Sequence, residues 1–238
     1  MHTASRVGAE GVQIDLRHEL PVAELSDTGL RQLRKLLDDL NVRVSSVAFP
    51  TRRGYGDTQD LERRLEATLE AMRAASKLAA RVMLITLGSL PLPDEAERST
   101  LVEAMTRLAM EGNRLGVQLA AQCFDAHPAD LRSFIDELPE GLVGVDISPA
   151  DLILSGQQPR EFAEKLASHI VHVFANDAVR GVGRSGGDVE LGRGMADFPD
   201  LLGVLEEHNY QGWATIERRS SRQPVEDVAN AVQFLRSL

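Results

Sequence analysis

Apolar positions along the chain repeat in two alternating rhythms. Short runs rich in Val, Ile and other β-formers predict strands at GVQIDL from Gly11, VRVSSVAFP from Val42, VMLITLG from Val82, VQLAAQC from Val117, GLVGVDI from Gly141, IVHVFAN from Ile170 and WATIERR from Trp213. Between and around them, stretches with a helical period near residues 2–9, 26–40, 57–80, 94–115, 128–138, 159–168, 197–208 and 224–237 predict helices. Several open on a residue able to cap a first turn: Ser26, Asp57, Asp94 with Glu97 three positions on, and Asp197.

Seven strands interleaved with eight helices, starting on a helix, is the order of a TIM-type (β/α)8 barrel whose first strand is absent. The rival α/β arrangement, an open doubly wound sheet, requires strands that are apolar on both faces. Here Val12, Ile14 and Leu16 interleave with Gln13, Asp15 and Arg17, and Val171 and Val173 with His172, Phe174 and Asn176. Ala214 and Ile216 likewise alternate with Thr215, Glu217 and Arg219. A mixed inner face and an apolar outer face belong to a barrel. No linker or low-complexity tract divides residues 1–238, so one domain is expected.

Composition narrows the function classes. With 238 residues, 43% of them hydrophobic, the chain can bury a core of its own. Asp and Glu number 36 against 26 Lys and Arg, and the formal charge of −10 disfavours a nucleic-acid partner. The single cysteine, Cys123, cannot form an intrachain disulfide, and the first residues lack the apolar core of a signal peptide. The longest uncharged apolar stretch, VMLITLGSLPLP from Val82, is too short to span a bilayer. A cytoplasmic protein without a membrane partner is expected.

In a barrel, chemistry gathers at the carboxyl ends of the strands. The loops there carry Arg52, Arg53, Arg180, Arg184, Arg218, Arg219 and Arg222 on an otherwise acidic protein. Arginine grips phosphate or carboxylate through a planar fork, so a small anion is one candidate ligand, with pairing to nearby Asp or Glu as the alternative. Gly181 to Gly186 spells G-x-G-x-x-G, but no helical period resumes until Asp197. A glycine-rich loop is therefore expected there, not a dinucleotide site.

Three further motifs agree in order and spacing with a known family. VELGRGMADFPDLLGVLEEHNYQGWATIER from Val189, GVDISPADLILSG from Gly144 and VHVFANDA from Val171 resemble motifs of the sugar phosphate isomerase/epimerase family, the xylose isomerase-like TIM barrels. The resemblance spans the chain from its first helix onward. It implies a small sugar or sugar phosphate as substrate. It also implies a divalent metal such as Mn or Mg, held at the strand ends by a Glu, an Asp, a His and a second Glu. Such a metal polarises carbonyl and hydroxyl oxygens so that carboxylates can move a proton at the adjacent carbon.

Matched motif by motif, only the second Glu is kept, as Glu217. The first Glu falls on Gln122, the Asp on Ser148 and the His on Phe174, and a phenyl ring has no lone pair to offer a hard cation. No metal or other cofactor is therefore expected, and metal-dependent activity is expected to be impaired or lost. A relocated metal on Asp146, His172 and Asp15, about 6.6 Å deeper by strand rise, competes with the simpler expectation that these groups hydrogen-bond one another. Glu217 is the candidate catalytic base or sugar-hydroxyl acceptor, with a buried carboxylate paired with Arg219 or His172 as the alternative. Gln122, Ser148, His172, Asp177, Arg180, Arg184 and Arg219 are candidate substrate contacts, although Asp177 can equally cap its loop. Cys123 is expected as a buried structural thiol and Trp213 as core packing, with Asp125 and His127 as weaker ligand candidates.

Members of the family begin with a strand between those placed here at Gly11 and Trp213. Without it two sheet edges are left unpaired, and a homo-oligomer meeting near that seam is expected. Three functions compete: an isomerase or epimerase relying on Glu217, a non-catalytic carbohydrate- or anion-binding module on the same barrel, and a metal-dependent endonuclease relative. The acidic charge and the lost ligands disfavour the last.

Overall fold

In the computed structural model, which describes residues 1–181 and 186–238, the chain alternates strands and helices from end to end. It runs α1 (His2–Arg6), β1 (Gly11–Asp15), α2 (Asp27–Asp39), β2 (Arg43–Ala48), α3 (Leu61–Lys77), β3 (Val82–Thr86) and α4 (Ala96–Leu115). Then follow β4 (Gln118–Gln122), α5 (Pro128–Asp136), β5 (Val143–Ile147), α6 (Pro149–Ser155), α7 (Pro159–Leu166) and β6 (Ile170–Ala175). A hairpin of β7 (Asp177–Arg180) and β8 (Gly186–Val189) precedes α8 (Phe198–Glu207), β9 (Ala214–Ile216) and α9 (Pro224–Arg236). Strands β1 to β6 and β9 form one parallel sheet in that order, a nearly closed TIM-type barrel.

Every strand and helix expected from the periodicity is present, and helix α6 and the hairpin strands β7 and β8 are additional. Helix α6 is a short turn begun by the Ser148 cap and Pro149 and ended at Gly156, whose φ of 93° suits a residue without a side chain. The β7–β8 hairpin lies in a glycine-rich segment with no apolar alternation to announce it. Ser26 and Asp197 cap their helices as expected, accepting from the amides of Gly29 at 3.0 Å and Asp200 at 3.2 Å. Asp57 and Asp94 do not: α3 begins after Asp60 and α4 after Glu95, and Asp57 instead accepts from the Gln59 amide at 2.8 Å.

The outward strand faces make the main core. Val47, Met83, Ile85, Leu119, Val145 and Val173 are buried in one cluster with helix residues such as Met72, Leu101, Met105, Phe134 and Phe162. A separate small cluster of Leu84, Ala120 and Phe174, joined by Ala48, fills part of the barrel lumen. The two sides of the sheet thus differ as the alternation requires.

Strands β1 and β9 end the sheet and are not paired with each other. The seam between them holds a cleft of about 470 Å³, walled by Val12 and Gln13 on one side, Thr215 and Glu217 on the other, and Ala4 and Val228 from the flanking helices. Trp213 belongs to this seam and not to the core. It is half-buried, a Cβ on Gly11 would stand 3.0 Å from its ring, and the Arg43 guanidinium lies 5.0 Å from the ring centre. No helix among the described residues is long and apolar enough to cross a membrane.

The hairpin is tied to the last βα unit by one ion cluster. Arg218 donates to Asp227 at 2.9 Å and pairs with Asp188, whose carboxylate also accepts the amides of Arg219 at 3.0 Å and Ser220 at 3.1 Å. Burial acts to raise the Asp188 pKa, but the Ser220 amide and Arg218 outweigh it and hold the carboxyl below its ordinary 3.8. A depressed folded pKa gives stability that is present above the unfolded value and is lost as pH falls through the folded one. Asp188→Asn should therefore cost roughly 2–4 kcal/mol near neutral pH and flatten the acid end of the stability profile. Urea denaturation between about pH 3 and 7 measures both, and a variant indistinguishable from the parent would remove the cluster from the stability of the fold.

Candidate functional site

The barrel lumen is built in polar and apolar storeys. Deepest is a chain of hydrogen bonds centred on Asp146 of β5 and His172 of β6, with side chains 0% and 1% exposed. The Asp146 carboxylate accepts from His172 Nδ1 at 2.7 Å and from Gln122 Nε2 at 2.9 Å. His172 Nε2 lies 2.8 Å from the Thr215 hydroxyl and 3.3 Å from that of Ser46, and Ser46 in turn accepts from Gln13 at 3.1 Å. Side chains of six strands are thereby laced together across the interior. Burying a carboxylate beside an imidazole is tolerable only when both are so satisfied.

The Gln122 contact corrects the expected levels. The carboxylate facing Gln122 is Asp146, not a group at the height of Ser148, because the β4–β5 register, which pairs Ala121 with Val145, sets Gln122 beside Asp146. Asp15 takes no part in this network. Its carboxylate accepts the amides of Arg17 at 2.7 Å and His18 at 2.9 Å and bonds the His18 ring, shaping the turn after β1.

Above the polar storey sits Phe174, packed with Leu84 and Ala120 and meeting the His172 ring edge-on at 4.8 Å. Above Phe174 is the mouth. Asn176 Nδ2 donates to Ser148 Oγ and to Glu217 Oε2, both at 3.0 Å, and its carbonyl accepts the Ala150 amide at 3.0 Å. Arg219 grips both oxygens of Asp151 at 2.6 Å and reaches Glu217 Oε2 at 2.8 Å, while the Ser148 hydroxyl donates to Asp151 at 2.6 Å. Among the described residues no donor reaches Glu217 Oε1, and Glu217 lines the seam cleft.

The expected substrate contacts are thus divided. Glu217 is half-buried and lines the seam cleft. Gln122 is half-buried and committed to Asp146, and Ser148 and His172 are buried within the frame. Arg219 is taken up by two carboxylates, and Arg218 by two others, so this side of the arginine rim is an internal ion network and not an open anion site. Arg180 is exposed and sits over Gly156 at the end of α6, on the hairpin side. Arg184 and most of the G-x-G-x-x-G loop lie outside the described residues.

Asp177 takes the loop-capping task expected as its alternative. Its buried carboxylate accepts four amides, those of Ala178 at 2.8 Å, Gly192 at 3.2 Å, Gly194 at 2.7 Å and Ala196 at 2.9 Å, and so clamps the loop that leads into α8. A Cβ on Gly194 would fall 2.3 Å from Asp177 Oδ1, which is why glycine stands there. Cys123 is a buried thiol pushed up to about 12 by burial and by the Asp125 carboxylate, and is unsuited to act as a nucleophile. His127 caps α5 through its ring at 3.3 Å from the Ala129 amide. Asn176 and Asp151 were not singled out in the sequence. Asn176 is on the same strand face as His172 and Phe174, and Asp151 follows the Ser148 cap by one turn, so both were within reach of the pattern.

Comparison with known proteins agrees with this architecture. The profile of the family described as "Xylose isomerase-like TIM barrel" matches residues 1–238. The chain belongs to that family. An inosose dehydratase of Clostridium botulinum (strain Alaska E43 / Type E3) is 23% identical over 240 residues, covering 87% of this chain and 80% of that protein. A xylose isomerase domain protein from Planctomyces limnophilus superposes with a TM-score of 0.89 at 21% identity, covering 99% of this chain and 90% of that one. A xylose isomerase-like TIM barrel protein from Mycobacterium smegmatis, solved with magnesium, gives 0.81 at 19% identity, with 99% and 87% covered.

The donors of this xylose isomerase-like barrel do not fit such a metal. Asp146 is held by His172 and Gln122, Glu217 by Asn176 and Arg219, and Phe174 packs among aliphatic side chains at the third matched position. Among the described residues no three His, Cys, Asp or Glu side chains converge. A hard cation needs several free oxygen or imidazole donors around one point.

The clamp offers a direct test of the frame. Asp177→Ala strands four amides, two of them on buried residues, and should cost about 3 kcal/mol, and Gly194→Ala should disturb the same loop. Chemical denaturation reads both, and unaltered stability in Asp177→Ala would deny the clamp its structural weight.

Proposed function

We propose that this chain is a small-sugar-binding member of the isomerase/epimerase-like barrels in which metal-dependent chemistry is lost, working without a divalent ion or other cofactor. The observation that supports it most is Glu217, which lines a cleft of about 470 Å³ and whose Oε1 has no partner among the described residues. That volume suits a monosaccharide-sized ligand. A carboxylate oxygen accepts sugar hydroxyls, and Asn176 and Arg219 hold this one in place from its other oxygen. Gln13 and Thr215 add polar groups on the same walls. The inosose dehydratases among the relatives favour a cyclic polyhydroxylated ketone as the ligand class.

Proton removal beside a carbonyl requires the developing oxyanion to be stabilised, and each 1.4 kcal/mol withheld slows it about tenfold. Glu217 alone supplies a base without an electrophile. In D2O, an inosose or ketohexose incubated with the protein should take up deuterium next to its carbonyl no faster than in buffer, with or without Mn2+. Saturation-transfer NMR should show binding of the same sugar, weakened about tenfold or more in Glu217→Ala. Metal-stimulated exchange that disappears in Glu217→Gln would overturn the loss of chemistry, and binding indifferent to Glu217→Ala would overturn the site.

The unpaired edges of β1 and β9 support a homo-oligomer that meets near the seam and leaves the Glu217 end of the cleft open to the sugar. Sedimentation should show a dimer or larger species, and a concentration-independent monomer would exclude it.

A further inference from the structure

A second cavity, of about 670 Å³, opens where β1 and β2 end and α3 begins, and none of Glu217, Asn176 or Ser148 lines it. Five guanidinium groups stand around it, those of Arg17, Arg52, Arg53, Arg63 and Arg64, against the carboxylates of Asp60 and Glu70. On a chain with 36 acids and 26 bases this local excess of positive charge runs against the composition. Its floor is apolar, with Leu16, Val22, Phe49 and Ala67.

The state of these arginines separates them from the others at the strand ends. Arg218 and Arg219 are saturated by carboxylates, whereas Arg17, Arg52 and Arg63 form no ion pair among the described residues. Arg17 rests against the Phe49 ring at 5.7 Å, and Arg53 alone of the five pairs with an acid, Asp57, at 2.8 Å. Arg64 is anchored through its terminal nitrogens to the carbonyls of Gln59, at 2.8 Å, and Asp57. Its Nε is buried with no acceptor, the one side-chain nitrogen or oxygen so placed among the described residues. A buried donor without a partner marks a place where an acceptor is missing.

We infer that this cavity binds a small molecule carrying a phosphate-type dianion, with the guanidinium groups around the oxyanion and the short body of the ligand on the apolar floor. Phosphate oxygens match the arginine fork and neutralise the local charge that the protein's own acids leave uncovered. The site is independent of the sugar cleft and of the reading given to Glu217.

Calorimetric titration of the full chain with inorganic phosphate and with glycerol 3-phosphate, against chloride at equal ionic strength, tests the inference. One saturable site should appear, weakened about tenfold in Arg52→Gln and in Arg63→Gln. Both side chains are exposed and outside any ion pair, so the fold should survive, and circular dichroism checks that it does. Arg222→Gln, outside the cavity, should leave the titration unchanged. Tighter binding of the ester assigns the natural ligand to phosphorylated metabolites, and equal binding assigns it to free phosphate. Absence of saturation up to about 20 mM, or affinity untouched by Arg52→Gln and Arg63→Gln, would overturn the inference.

Discussion

The lumen of this barrel is governed by the buried contact between Asp146 and His172. A carboxylate can only accept, so at 2.7 Å His172 Nδ1 carries the proton and its Nε2 is turned toward the hydroxyls of Thr215 and Ser46. With Gln122 on the second Asp146 oxygen, the pair is satisfied from all sides by the barrel itself. In a region of low dielectric, any loss of one partner leaves an uncompensated buried group, so the network is self-enforcing. The polar groups nearest to a cation site are employed in holding strands together.

Phe174 completes that separation. It closes the polar storey below with its ring against His172 and fills the lumen with Leu84 and Ala120, so the mouth above is left with Glu217, Asn176, Ser148, Asp151 and Arg219. There the charges are also largely consumed, Arg219 by Asp151 and Glu217, and the exception is one oxygen of Glu217. Among the described residues, that oxygen is left without a donor beside a cleft at the unpaired edges of β1 and β9.

Much of this was legible in the sequence because strand and helix periods differ. The alternation in GVQIDLR and IVHVFAN placed Gln13, His172 and Phe174 inward before any coordinates, and the structure puts them there. What the pattern did not carry was depth. Period two assigns a face, whereas the level at which two strands meet depends on register, and the β4–β5 register brings Gln122 to Asp146 and not to the neighbourhood of Ser148. Loop capping by Asp177 was legible as an alternative, but which amides it holds was not, since sequence does not distinguish one backbone amide from another. The hairpin of β7 and β8 was missed because glycine-rich segments have no side-chain alternation to read.

Titration of Mn2+ into the unaltered chain, followed by the EPR signal of the free ion, examines the reshaped lumen most directly. The ion should remain free, and should become bound once Gln122→Glu and Phe174→His restore a carboxylate and an imidazole near Asp146 and Glu217. Stoichiometric, tight uptake by the unaltered chain would contradict the conclusion that its inward side chains are committed to one another.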